Sequence, residues 1–333
     1  MLSYIAQRVI RLIPLLFLIS VVVFVIIQLP PGDYVTEYVN RLRASGTEVD
    51  EAQIQRLKNL YALDKPLYVQ YLKWITNILL RGDFGLSFAW NKPVSEVIGE
   101  RMALTVAISV TTTIFVWAVA IPIGVYSAVR QYTFFDYFFT FLGFIGLAVP
   151  AFLLAMLIMY IAFAKFGVNV GGLFSPEYQF APWSLGKVVD MLKHIWVAVI
   201  VLGVSGTAWL IRVMRGTMLD ELGKQYVITA RAKGLSEFQV IMKYPFRIAI
   251  NPFISTIGWL LPWFFSGGTI VDIVLNLPTA GPVLWKALMS QDMFLAGSFV
   301  LITSTLTVIG TLLSDILLAI VDPRIRFGKV GTV

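Results

Sequence analysis

The sequence predicts an all-α membrane protein with six transmembrane helices and both termini cytoplasmic. Three observations carry that prediction: composition, six long apolar runs, and the placement of basic residues. Of 333 residues, 58% are apolar and only 14% charged, where about 25% charged is ordinary for a soluble domain. So little polar surface cannot cover a water-soluble body, which leaves the bilayer as solvent. The chain has no cysteine and one histidine. That excludes disulfide frameworks, thiolate nucleophiles, thiolate metal sites and any metal site built on two histidines.

A spanning helix needs about 20 mostly apolar residues. The first run, Leu12 to Leu29, follows Arg8 and Arg11. It is too long for a signal-peptide core, and "LPPGDYV" offers no small-x-small cleavage site, so a retained anchor is expected. The extracytoplasmic segment 30–101 predicts two amphipathic helices. Asp50 and Gln53 cap the first, within "TEVDEAQIQRLKNLYAL", and Leu67, Tyr71, Trp74, Ile75, Ile78 and Leu79 share a side of the second. Trp74 and the tyrosines suit a membrane interface. A glycine-rich turn returns to the second span, Met102 to Val129, and the third runs from Tyr137 to Phe166. A Gly- and Pro-rich loop becomes amphipathic from Leu185 and leads into the fourth span, Ile195 to Val213. The cytoplasmic loop 214–247 precedes the fifth, Ile248 to Ile273. The next loop turns at Pro278 and Gly281, "VLWKALM" suggests a small helix, and the sixth span is Leu295 to Val321. No repeat or second soluble domain is evident, so one membrane domain is expected over 1–333.

With the termini inside, thirteen Lys and Arg lie in the cytoplasm and thirteen outside, but nine of the latter fall in segment 30–101. Long loops translocate whatever their charge, so the comparison is thirteen against four and sets the orientation. The net charge of +7 is thus a topology signal, not a nucleic-acid footprint. Pro122 with Gly124, Gly143 with Gly146 and Pro150, and Pro252 with Pro262 mark bends. Membrane helices tolerate such breakers where neighbours or a cavity satisfy the freed backbone groups. Spans three and five, with Pro150 and Pro262, are therefore candidates for pathway or gating elements.

The loop 214–247 carries the sharpest local pattern. "TARAKG" is a good helix that stops at Gly234, suited to a left-handed C-terminal position. Ser236 with Gln239 completes a capping box, and Glu237 sits in the first turn. Phe238, Ile241 and Met242 then align at helical spacing. Such a stripe serves either as a helix-in-groove ligand for another protein or as packing on its own bundle.

"YVITARAKGLSEFQVIMKYPFRIAINP" resembles the cytoplasmic signature loop of permease subunits of binding-protein-dependent ABC importers, in the form of the oligopeptide and dipeptide branch. "GDFGLSFAWNKPVSEVIGERMALTVAIS", "GGTIVDIVLNLPTAGPVLWKALMSQD" and "IVDPRIRFG" are similar to passages of that branch in the same order, so the resemblance spans nearly the whole chain. It implies the type I permease fold and an inner-membrane, multi-pass protein without catalytic residues. It also implies passage of short peptides from an extracytoplasmic solute-binding protein into the cytoplasm. The partners implied are a second, homologous permease and two cytoplasmic ATPase subunits, which would hold the ATP and Mg. In that family the loop docks the ATPase and transmits its closure. Ala230, Gly234 and Leu235 fall on the signature's recurring positions, and Arg231 and Lys233 on its basic ones. Ile228 stands where the general signature has Glu, a departure common in the peptide branch, which leaves Asp220 and Glu221 as the nearest acidic candidates. Oligosaccharides or opine-like solutes are the alternative cargo, and a stand-alone carrier or channel is the alternative class.

No "GxxxxGK[ST]", "HExxH" or "GxSxG" occurs, so nucleotide cradling and hydrolysis have no residues to stand on. His194, beside a membrane boundary, reads as an interfacial residue. Two acids near spans are conspicuous because charge is costly there. Asp315 in span six either makes a static bond to a neighbouring helix or holds a contact that shifts during transport. Asp272, ending span five, is either a solvated loop carboxylate or a group at the external mouth.

Overall fold

The computed structural model describes residues 2–29, 64–87, 89–266 and 268–321 and the isolated positions 39, 55, 59 and 62; over 2–4 and 259–266 it describes the backbone alone. The first amphipathic helix expected in segment 30–101 and the "DPRIRFG" tail lie outside the described residues. Helix α1 (Leu2–Gln28) is followed by α2 (Leu67–Arg81) and a short antiparallel hairpin, β1 (Leu86–Ser87) with β2 (Lys92–Pro93). Next come α3 (Val94–Val129), α4 (Phe134–Ala148), α5 (Ala151–Phe166) and α6 (Leu185–Leu222). Three short helices follow, α7 (Gln225–Ala232), α8 (Glu237–Lys243) and α9 (Pro245–Ala249). The chain then forms α10 (Asn251–Ser266), α11 (Thr269–Val274), α12 (Ala280–Met289) and α13 (Met293–Val321).

Among the described residues, four helices are long and apolar enough to cross a membrane: α1 from Ile5, α3, α6 and α13. The second and fourth predicted spans sit inside longer helices of 36 and 38 residues. At 1.5 Å per residue these reach about 54 and 57 Å, well beyond a hydrocarbon core of roughly 30 Å.

The third predicted span is not one straight rod. It is the pair α4–α5, bent by 100°. Val149 is extended (φ −86°, ψ 121°) and Pro150 caps α5. Proline cannot donate to the helical ladder, and it drives the preceding residue out of the α region. The fifth predicted span is likewise divided into the end of α9, α10 and α11. Pro245 opens α9 after Tyr244 leaves helical geometry (φ −114°, ψ −81°). Pro252 lies in the first turn of α10, where its missing N–H costs nothing. With 16 residues, α10 extends about 24 Å, less than a full hydrocarbon core.

Helices α3 and α6 run parallel, side by side. Leu104 shares a cluster with Ile195 and Leu202, and farther along Val116 and Ala120 share one with Ile211, Met214 and Met218. At Gly124 the approach is so close that a Cβ would lie 2.5 Å from that of Met214. The Pro122–Gly124 pair, expected to bend the second span, therefore sits in an uninterrupted helix, and its glycine is a packing contact. Close fits between small residues are how helices associate in lipid, where apolar burial alone gives little drive.

Helix α13 is antiparallel to α1: Gly297 meets Ile27 at one end, and Arg8 meets Asp315 at the other. It also packs on α10, with Ser314 donating to the Ile254 carbonyl at 2.9 Å. In α2, Trp74 turns inward. It is buried against Phe24 of α1 (5.7 Å between rings), while Leu67 and Leu79 of the same predicted stripe are exposed.

The bundle thus has two distinct ends. The N-terminal ends of α3 and α6 meet the hairpin, α11, α12 and the start of α13. Their C-terminal ends meet α7 to α9, the start of α10, the start of α4 and the end of α13.

Candidate functional sites at the two ends of the bundle

At the second of these ends, where α3 and α6 finish, α7 and α8 form a small module. Helix α7 ends on the good helix formers Ala230, Arg231 and Ala232 and stops because Gly234 takes φ +77°, a conformation that strains any residue with a Cβ. Ser236 and Gln239 form the capping box that their spacing predicts, the Ser236 hydroxyl accepting from Gln239 N and the Gln239 side chain from Ser236 N. Val227, Ala230 and Val240 are its buried core, flanked by Leu235 and Tyr244. Of the predicted coupling residues, Ala230 is therefore a core contact, and Gly234 with Ser236 sets the turn.

Arg231 reaches across the turn to Glu237 through three hydrogen bonds of 2.6 to 3.1 Å. These bonds hold the Glu237 carboxyl below its ordinary pKa and raise that of Arg231. Lys233 is exposed. The apolar stripe divides: Ile241 packs on the bundle beside Met218 and Phe253, whereas Phe238 is 74% exposed and Met242 is exposed too. Both readings of the stripe thus hold, each for different residues. Among the acidic candidates, Glu221 accepts from the Tyr226 hydroxyl and Asp220 is exposed.

Near the module, polar pairs clasp the long helices to one another. Arg215 of α6 makes a two-pronged pair with the buried Asp136 at the start of α4, both bonds 3.1 Å. Asp136 also accepts from Tyr132 N. Asp315 pairs with Arg8 at 2.6 Å.

At the opposite end lies a cavity of about 970 Å³. Its walls come from three separated stretches: Trp90, Glu100 and Arg101; the α5–α6 loop with the first turns of α6, including Phe174, Trp183, Lys187 and His194; and Thr279 with Lys286 near α12. Three buried carboxylates staple those walls. Asp292 accepts from the Ser87 hydroxyl (2.6 Å), Ala89 N and Leu295 N, fixing the hairpin to the start of α13. Asp190 accepts from both the hydroxyl and the N–H of Ser175. Asp272 accepts from the Thr279 hydroxyl at 2.7 Å and is only 3% exposed. Asp272 is therefore neither a solvated loop acid nor a group reaching out of the mouth; it holds the Pro278 turn in place. His194 bonds to the Asp190 carbonyl and lines the cavity.

Pro150 sits at the 100° bend and Pro262 within α10. The structure brings Asp272 close to the cavity and places Asp315 at the module end, so the two acids lie at opposite ends of the bundle. Among the described residues no group of three metal-ligating side chains occurs.

The fold and its two ends define a multi-pass helical membrane protein. The chain belongs to the family described as binding-protein-dependent transport system inner membrane component, which matches residues 120–327, and the family's N-terminal component matches residues 1–109. It is similar to the oligopeptide transport system permease protein AppB of Bacillus subtilis, with 34% identity covering 98% of this chain and 100% of that one. A putative peptide permease protein of Brucella suis is 31% identical over 98% and 99% of the two chains. The glutathione transport system permease protein GsiC of Salmonella paratyphi A is 32% identical over 98% and 100%. The chain is accordingly a permease subunit of an ABC importer of the peptide branch, resident in the inner membrane.

Proposed function

We propose that this permease passes short peptides from a solute-binding protein into the cytoplasm, driven by separate ATPase subunits that bind at the α7–α8 module. The chain makes and breaks no bonds itself; ATP and Mg belong to two ATPase partners, and a second, similar permease completes the pathway. The cargo follows from the peptide and glutathione systems to which the relatives belong.

In this reading the whole chain is one membrane domain with six spans and both termini cytoplasmic. The bent pair α4–α5 serves as the third span and the divided α10–α11 as the fifth. The start of α1, the end of α13 and the module share one end of the bundle, as an even number of crossings requires.

The observation that carries the proposal is the module itself. A glycine-turned, capped helix pair buries Val227, Ala230 and Val240 while leaving Ile228, Phe238 and Met242 exposed. A short helix with free apolar side chains beside a rigid turn suits a groove on another protein. Replacing Gly234 by Val adds about 1–2 kcal/mol of backbone strain with no clash, because the space around it is open. Gly234→Val is expected to insert and assemble normally yet lose peptide uptake. Uptake at the wild-type rate, or failure of the wild-type chain to co-purify an ATPase subunit, would refute the proposal.

A further inference from the structure

The cavity opposite the module holds a buried cation that the fold itself does not neutralise. Lys187, in the first turn of α6, is 7% exposed. Its ammonium donates to the Ala181 carbonyl at 2.6 Å and lies 4.9 and 5.3 Å from the ring centres of Phe174 and Trp183. An ammonium has three donors, and among the described residues no carboxylate stands within ion-pairing distance of this one. Burying a charge without a counter-charge is costly unless something completes its shell.

The obvious acids are already engaged. Asp190, one turn along α6, gives both oxygens to Ser175, and Asp272 is bonded to Thr279. Lys286 and Arg101 line the same cavity, Lys286 with its ammonium 5.9 Å from the Trp90 ring. Against these three cations the lining offers, among the described residues, one carboxylate, Glu100. A concave site with surplus positive charge concentrates anions, and its aromatic walls accept an apolar flank. A volume of about 970 Å³ falls in the range of small-ligand sites.

We infer that this cavity is a transit site that receives the free C-terminal carboxylate of the transported peptide at Lys187, with Lys286 and Arg101 as supporting cations and Phe174 and Trp183 against the adjoining side chain. The inference rests on the peptide-import reading and adds to it a recognition step on the permease, separate from that of the binding protein.

The test is uptake by the complete importer in proteoliposomes. A tripeptide with a free C-terminus is compared with its C-terminal amide, each at binding-protein concentrations that saturate with that form. The wild type should favour the acid by roughly tenfold, the scale of a hydrogen bond to a charged group. In Lys187→Gln and Lys286→Gln the acid-to-amide ratio should fall toward one, and Lys286→Arg should restore it. Lys286 is exposed, so its variants decide the matter if Lys187→Gln does not assemble. A ratio unchanged in the variants, or a wild-type ratio near one, would overturn the site while leaving peptide import standing. A wild-type importer that carries neither form would instead overturn the peptide reading beneath it.

Discussion

The Arg8–Asp315 pair closes the α1–α13 contact at its module end, with side chains 35% and 20% exposed. Partial exposure lets solvent screen the pair, so its worth is about 1 kcal/mol rather than that of a sealed ion pair. A formed, modest bond of this kind is a static clasp between the first and last helices. We expect Asp315→Asn to lower the melting temperature slightly in detergent and to leave uptake near the wild-type rate; loss of uptake in a normally assembled importer would instead make the pair part of the transport cycle. The Arg231–Glu237 bridge lies in the α7–α8 turn, outside the membrane-spanning helices. Arg231 holds the Glu237 carboxyl below the usual value, so the bridge contributes at pH above the free carboxyl's pKa and is lost as pH falls through the lowered one. Amide exchange of residues 231–237 in the intact importer, corrected for intrinsic rate, should rise on acidification from neutral to below that lowered pKa, and Glu237→Gln should abolish that change.

Among the elements, α3 and α6 show what the close approach at Gly124 is for. A side chain there meets Met214 Cβ and, at 3.0 Å, the Ile211 carbonyl, which cannot step aside. Gly124→Val should cost about 1–3 kcal/mol by overpacking, seen as a lower melting temperature of the purified complex. Gly99, in the first turns of the same helix, has open space around it, and Gly99→Ala should raise stability by about 0.5–1 kcal/mol through helix propensity. The α7–α8 turn was readable in the sequence because every part of it is local: Gly234 ends one helix, and Ser236 and Gln239 begin the next within six residues. The breaker at Pro150 was readable as a bend, but not as one of 100°, since that angle is set by α5 packing on α6 and α11. Phe238, Ile241 and Met242 share a helical spacing that cannot say which of them a neighbour will cover; Met218 and Phe253 decide that for Ile241.

At the scale of the whole molecule, the cavity was illegible for a simple reason. Its lining is drawn from residues near 90–104, 169–194 and 276–286, and no pattern within any one stretch signals the other two. The staples Asp190 and Asp292 are equally silent, each an ordinary acid at a helix end until the fold supplies Ser175 or Ser87. By contrast the apolar composition and long runs announced a membrane protein at once, because they reflect the solvent and need no tertiary partner. One further property follows from α6. No break interrupts it between Lys187 in its first turn and Leu222 at its last, and its mid-point is pinched where a Cβ on Gly203 would lie 3.0 Å from the Phe115 ring. Pivoted there, such a rod acts as a see-saw. A tilt of about 5° carries each tip roughly 2.5 Å in opposite directions, so narrowing at the module would widen the wall that bears Lys187 without any relay of side chains between them.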